Sequence, residues 1–350
     1  MDSFAQTLIH WHASYGRHDL PWQNTRDPYR IWLSEVMLQQ TQVTSVIDYF
    51  ERFLKRLPTL AALAAAPLDE VLSLWSGLGY YSRARNLHRA AKLVMVEHDG
   101  AFPRDPAALA RLPGIGRSTA AAIAAFTCDT RAAILDGNVK RVLARVFGID
   151  GYPGEKKVEA KLWQLAEQLL PSDCGNMPIY TQALMDFGAT VCTRSKPRCS
   201  ACPLRSRCVA WNTDRVSELP QPRPRKEIPA RSTTLLLLID GPRYYFEKRP
   251  PTGIWGGMLS FPEAQAEENL IEICAARFGA KVEYLPALES FTHTFTHFRL
   301  TILPQPMRVA KLVSRCAQDP GLWLTPGEAM TKALPAPIRR ILTSREVAWM

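Results

Sequence analysis

Four cysteines confined to seventeen residues constrain this 350-residue chain more than any other feature. Cys192, Cys199, Cys202 and Cys208 have six, two and five residues between them, so four thiols are offered to one centre within a single short loop. Four-cysteine ligation suits zinc or an iron–sulfur cluster. Zinc sites usually use two separated CxxC-like knuckles, and the single CxxC here favours a 4Fe-4S cluster. No basic leader followed by an apolar stretch opens the chain, and the purest apolar run, Leu235 to Ile239, falls far below the roughly 18 residues that span a bilayer. The expectation is a soluble cytoplasmic protein whose clustered thiols bind metal, with Cys128, Cys174, Cys274 and Cys316 as ordinary core or surface thiols.

The chain carries a net charge of +10, and between Cys192 and Arg231 ten Lys and Arg stand against three acids. Such a stretch suits a polyanionic partner, although a solvated linker has the same composition. Up to about residue 210 apolar positions recur three and four apart, and Pro or Gly interrupts them at Leu57-Pro58, Ala66-Pro67, Gly100 to Pro106, Pro113-Gly114 and Tyr152 to Gly154. The pattern predicts short helices with tight connections over 1–211. Pro220, Pro222, Pro224 and Pro229 then predict an extended basic linker over 212–231. Beyond it, Thr233 to Ile239 and Arg243 to Lys248 flank an Asp240-Gly241-Pro242 turn, and Phe291 to Leu303 is β-rich, so 232–350 is expected as a separate α+β domain.

Three places in the helical region carry chemistry. Leu112-Pro113-Gly114-Ile115-Gly116-Arg117-Ser118 joins two helical patterns. Gly114 and Gly116 can adopt positive φ and turn backbone N–H groups at a helix N-terminus toward a phosphate, or the segment is a plain αα-turn. Glu35 lies in a run, Ile31 to Val43, rich in apolar residues, which predicts a largely buried helix. Burial raises a carboxyl pKa and lets it act as a general acid; a capping or pairing role is the structural alternative. Asp136 precedes a helical stretch, Val139 to Val146, and reads first as its N-cap.

The hairpin, the segment Ile134-Leu135-Asp136-Gly137-Asn138-Val139 and the four-cysteine loop together resemble the helix-hairpin-helix DNA glycosylases. Leu20-Pro21-Trp22, the run Ser34 to Val43 and Gly77-Leu78-Gly79-Tyr80-Tyr81 are similar to the MutY family of adenine DNA glycosylases in particular. The resemblance implies an all-α helix-hairpin-helix glycosylase domain with a 4Fe-4S cluster loop, followed by an α+β Nudix-like domain. Its helical part would comprise a six-helix domain at about 20–133 and a cluster domain from about 1–19 plus 134–211. It also implies an enzyme that excises adenine mispaired with 8-oxoguanine, and less readily with guanine, in base-excision repair. Glu35 would protonate adenine N7, and Asp136, oriented by Asn138, would stabilise the oxocarbenium-like sugar. Gln40 and Tyr80 would fill the stack vacated by the flipped nucleotide. Gly114, Gly116 and Ser118 would meet DNA, and Leu20, Trp22 and Gln182 would line the adenine pocket. The implied partner is double-stranded DNA with an 8-oxoguanine:A or G:A mispair, bound by a monomer with no membrane and a nucleoid-associated location.

In the related endonuclease III the hairpin carries a lysine that forms a Schiff base, whereas this chain has Ser118, which implies a monofunctional glycosylase. Gly253 to Pro262 resembles the start of a Nudix signature, but Ala264 to Gly279 lacks its paired carboxylates, so the fold is expected without pyrophosphate hydrolysis. Phe295-Thr296-His297 is similar to the family's F-S-H strand motif for 8-oxoguanine recognition, with Thr296 keeping its hydrogen-bonding role only if the strand accommodates an extra methyl. Two rival readings are an endonuclease III-like glycosylase–lyase and a non-catalytic mispair sensor. Ser118 and the C-terminal domain argue against the first, and the presence of both Glu35 and Asp136 against the second.

Overall fold

Caps and prolines begin the helices of the N-terminal region. Ser3 and Gln6 form a capping box on helix Phe4–Tyr15, and Asp27 caps helix Pro28–Leu38, whose first residue is the proline. The computed structural model describes residues 3–224, 228–265, 268–312 and 321–344; Arg225, Lys226 and Cys316 lie outside the described residues. Two units emerge, Met1–Ala65 with Asn86–Arg225, and Ala66–Arg85 with Lys226–Met350. Ala66–Arg85 therefore groups with the C-terminal unit, although its helical pattern places it by sequence in the N-terminal region.

In the first unit, helix Phe4–Tyr15 packs on helix Met177–Thr190, which also contacts helix Gly137–Phe147. Phe4, Leu8, Trp11, Val142, Leu143, Leu184 and Phe187 share one core there. Helix Pro28–Leu38 packs on helix Arg117–Cys128, where the run Ala120 to Ala125 is buried. Small side chains bring the two backbones close, so the helix bearing Glu35 is held against the hairpin. The expected extended linker begins folded: Leu219 is 1% exposed, and its carbonyl accepts from the Arg145 guanidinium at 2.7 Å. Among the described residues no helix is long and apolar enough to cross a membrane.

The hairpin corrects one expectation. Gly114 has φ +80°, but Gly116, the N-cap of Arg117–Cys128, has φ −88°, which any residue can adopt. A Cβ on Gly114 would also lie 2.8 Å from the Asn86 Cβ, whereas nothing stands within 4 Å of one on Gly116. Gly114→Ala is therefore expected to cost ~1–3 kcal/mol in urea unfolding, and Gly116→Ala less than ~1 kcal/mol. Equal costs would remove the special role of the first glycine.

The second unit is built on a sheet. Strand β1 (Ala230–Asp240) is central, buried without interruption from Thr233 to Ile239. It turns through Gly241-Pro242 into β2 (Arg243–Lys248), with Asp240 opposite Arg243. β3 (Leu259–Ser260) pairs with β2, and β4 (Glu263–Ala264) with β1. β5 (Ala280–Tyr284) and β6 (Phe291–Thr294) are antiparallel to β7 (Arg299–Leu312), which runs parallel to β1; β8 (Leu322–Leu324) flanks β2. Helix Leu270–Phe278 contributes Cys274 and Phe278 to a core with Leu236, Leu238 and Met307. A central strand covered on both faces explains the unbroken run of leucines.

Candidate active site

Glu35 and Asp136, 101 positions apart in sequence, line one cleft of about 670 Å³ in the first unit. Glu35 comes from helix Pro28–Leu38, whose neighbours Ile31, Trp32, Leu33, Val36 and Met37 are buried. Asp136 comes from a second element, as N-cap of Gly137–Phe147, its Oδ1 accepting the Val139 N–H at 2.8 Å. The capping role expected from sequence is thus real, and it leaves Asp136 facing the cleft.

The two carboxyls have different surroundings. Burial pushes Glu35 up to about 8, and the neighbouring Asp136 charge adds to the rise. Among the described residues no hydrogen bond or ion pair reaches the Glu35 carboxyl. Burial raises Asp136 as well, but the N–H groups of Val139 and Asn138 and the charges of Arg141 and Lys140 oppose that rise. Of the two, Glu35 is the one whose surroundings favour the proton, and Asp136 the one whose anion has N–H groups and cations to support it. Environments that push two carboxyls apart are what divided acid and anion roles require.

Asn138 lines the cleft beside Asp136. Its side chain does not bond Asp136; its Oδ1 accepts from Arg141 Nη2 at 2.8 Å, and its backbone N–H faces the Asp136 carboxylate. Arg141 also donates to the Cys192 and Gly188 carbonyls, both at 2.7 Å. Ser118 lines the same cleft, and its hydroxyl accepts the Leu135 N–H at 2.9 Å, fixing the chain just before Asp136.

Leu20, Trp22 and Gln182 line this cleft too. Trp22, Glu35 and Gln182 also line an adjoining cavity of about 410 Å³ with His12, Arg17 and His18. Trp22 is both wall and core, since its ring meets Phe50 edge-on with centroids 5.4 Å apart. Gln182 donates from Nε2 to Asp186 Oδ1 at 2.8 Å. Asp186 was not legible as a site residue, although its i,i+4 spacing from Gln182 on one helix was a signal. Arg141, three residues after Asn138, was missed in the same way.

Gln40 and Tyr80 belong to different units. Both have left-handed backbones, φ +56° and +47°, and both are exposed. Non-glycine residues in this region store strain, of order 1–3 kcal/mol, and tend to be kept where function needs them. Arg83 buttresses Tyr80, its guanidinium 5.5 Å from that ring and 5.4 Å from Trp75.

Cys192, Cys202 and Cys208 pack on the core of the first unit. Burial pushes the Cys202 thiol up to about 11, and Cys192, Cys208 and Cys199 each add to the rise, so the four sulfurs share one neighbourhood. Among the described residues no three His, Cys, Asp or Glu side chains gather tightly enough to hold a single ion. Buried Arg145 donates to the Thr193 and Arg194 carbonyls, while Arg194, Lys196, Arg198, Arg205 and Arg207 are exposed on the loop.

In the second unit Phe295-Thr296-His297 occupies the turn between β6 and β7, closed by a bond from the Phe295 N–H to the Phe298 carbonyl, rather than a strand as expected. Thr296 and His297 are exposed, so the extra methyl of Thr296 meets no strand packing. The turn borders a cavity of about 1240 Å³ that Tyr80, Arg249, Trp255 and His293 also line.

Residues 33–168 match the profile of the HhH-GPD superfamily base excision DNA repair protein, and 234–344 that of a NUDIX domain. A curated adenine DNA glycosylase of Buchnera aphidicola subsp. Baizongia pistaciae is 36% identical over 97% of this chain and 96% of its own. Among solved structures, a thermostable thymine-DNA glycosylase aligns with a TM-score of 0.55 and 31% identity, covering 60% of this chain and 95% of that one. A non-covalent endonuclease III–DNA complex shares the fold, with a TM-score of 0.51 and 23% identity over 60% of this chain and 94% of that one. The full-length match joins the helical and Nudix-like parts in one relative: the chain belongs to the adenine DNA glycosylase family.

Proposed function

We propose that this chain is a monofunctional adenine DNA glycosylase acting on adenine opposite 8-oxoguanine or guanine in double-stranded DNA. The observation that carries the reading is one cleft lined by both Glu35, which burial pushes up to about 8, and Asp136, whose anion is supported by backbone N–H groups and nearby cations. Adenine leaves poorly as an anion. Glu35 donates its proton to N7 as the C1′–N9 bond breaks, so the base departs neutral. Asp136 stabilises the developing cation, water adds at C1′ and loses a proton, and an abasic site remains. Ser118 holds the segment before Asp136, and Asn138 meets the carboxylate through its backbone N–H while its side chain turns to Arg141.

Gln40 and Tyr80, each with a left-handed backbone in its own unit, are each read as a residue that enters the stack when the nucleotide flips out. Gly114 and Gly116 at the hairpin and the exposed cations of the cysteine loop suit phosphates, so affinity should fall steeply with salt. The Phe295-Thr296-His297 turn, exposed at Thr296 and His297, is read as the 8-oxoguanine contact. Cys192, Cys199, Cys202 and Cys208 fit a 4Fe-4S cluster, which takes one thiolate per iron and so asks for sulfurs that neighbour one another without converging on one ion. Bound there, the cluster would fix the shape of the basic loop.

The test is a duplex holding one 8-oxoguanine·A pair, incubated with the protein and then treated with alkali. Breakage should map to the adenine, with no adduct trapped by borohydride. An intact adenine strand would overturn the reading, and a trapped adduct would favour the lyase mechanism.

A further inference from the structure

Asp186 stands one turn beyond Gln182 on helix Met177–Thr190 and is fully buried. Its Oδ1 accepts from Gln182 Nε2 and from Arg17 Nε, both at 2.8 Å, and its Oδ2 accepts the Arg17 backbone N–H at 2.8 Å. His12 Nε2 lies 3.3 Å from Oδ2. Burial pushes this carboxyl up, but the contacts from His12 and Arg17 outweigh it and hold Asp186 below its ordinary value. It is an ionised, acceptor-only group.

An amide facing such a group has one orientation. Its NH2 turns to the carboxylate, and its oxygen is left over. Gln182 makes no other hydrogen bond among the described residues, and it lines both cavities beside Glu35. We propose that Asp186 is a positioning residue for substrate choice: by fixing the Gln182 amide it presents Oε1 to the cleft as an acceptor and selects a 6-amino purine over a 6-oxo purine. The inference rests on the reading of the cleft proposed above. A donor at Glu35 beside an acceptor at Gln182 complements an edge that offers N7 as acceptor and the 6-amino group as donor. Guanine and hypoxanthine place an acceptor oxygen where that donor should be, and two acceptors facing each other are repelled.

The experiment compares single-turnover rates of the full chain on duplexes carrying adenine or hypoxanthine opposite 8-oxoguanine. Asp186→Asn keeps the shape but can donate, so the Gln182 amide becomes free to turn, and the adenine preference should fall about tenfold. Adding Gln182→Glu, which presents an acceptor whichever way it turns, should restore the preference. Equal losses on both substrates in D186N, with the preference intact, would reduce Asp186 to a structural support and overturn the proposal. Should D186N fail to fold, Gln182→Met beside an unaltered Asp186 gives the same decision, since an undiminished preference there leaves Asp186 nothing to position. A wild-type chain that releases no adenine would instead overturn the reading of the cleft.

Discussion

Glu35→Gln is expected to lower the single-turnover rate of adenine release by about a thousandfold while leaving binding to the mispaired duplex within a few-fold of wild type. Glutamine keeps the volume of the side chain and loses the acidic proton. The wild-type rate should fall as pH rises through about 8, where Glu35 gives up its proton, and that limb should vanish in the variant's residual activity. The same substitution should strengthen the fold. Folding raises Glu35 from 4.5 to about 8, so its contribution is neutral below 4.5 and becomes a growing penalty as pH rises toward 8. Discounting for water that enters the cleft, removal of that penalty at pH 7 amounts to ~1–3 kcal/mol and several degrees in Tm. A variant with normal turnover, or one that melts below wild type, would separate Glu35 from the proton-donor role.

Asp136→Asn should cost about a hundredfold to a thousandfold in the same assay, with a Tm at or above wild type because burial raises this carboxyl too. Asparagine is as good an N-cap as aspartate, so it can still accept the Val139 N–H that Asp136 accepts at 2.8 Å. What the substitution removes is the negative charge that the proposed mechanism sets against the sugar. Stability and activity are therefore uncoupled at this position, and a rate within tenfold of wild type would show that the charge is dispensable. Melting well below wild type would show instead that the cap requires the carboxylate.

The sequence exposed these two residues unequally. Glu35 was legible because a carboxyl in an otherwise apolar helix is an anomaly. Asp136 was legible from residues alone only as a cap, and its second role came from resemblance. The division into a helical region and a sheet domain followed from hydrophobic periodicity and a proline-rich break. The grouping of Ala66–Arg85 with the C-terminal unit did not, because periodicity says which face is buried and not against what. Gly116 and the Phe295-Thr296-His297 turn were misplaced for a related reason: φ at a glycine and the end of a strand depend on neighbours distant in sequence. Arg17, Arg141 and Asp186 were invisible because ordinary polar letters on a helix or loop acquire meaning only once the fold brings their partners to them.

The carboxylate of Asp186 reaches back 169 positions to the backbone and side chain of Arg17. That latch has a consequence for how far the enzyme can be trimmed. A fragment cut to the part that matches the base excision repair profile, residues 33–168, would retain both acids and the hairpin. It would lose Leu20 and Trp22 from one margin and Gln182 from the other, along with the clasp that joins those margins and all four thiols. Such a fragment would keep the two carboxyls without their enclosure, open to water on two sides. On the proposed reading of the cleft, the smallest piece able to recognise a base begins upstream of Arg17 and extends beyond Cys208.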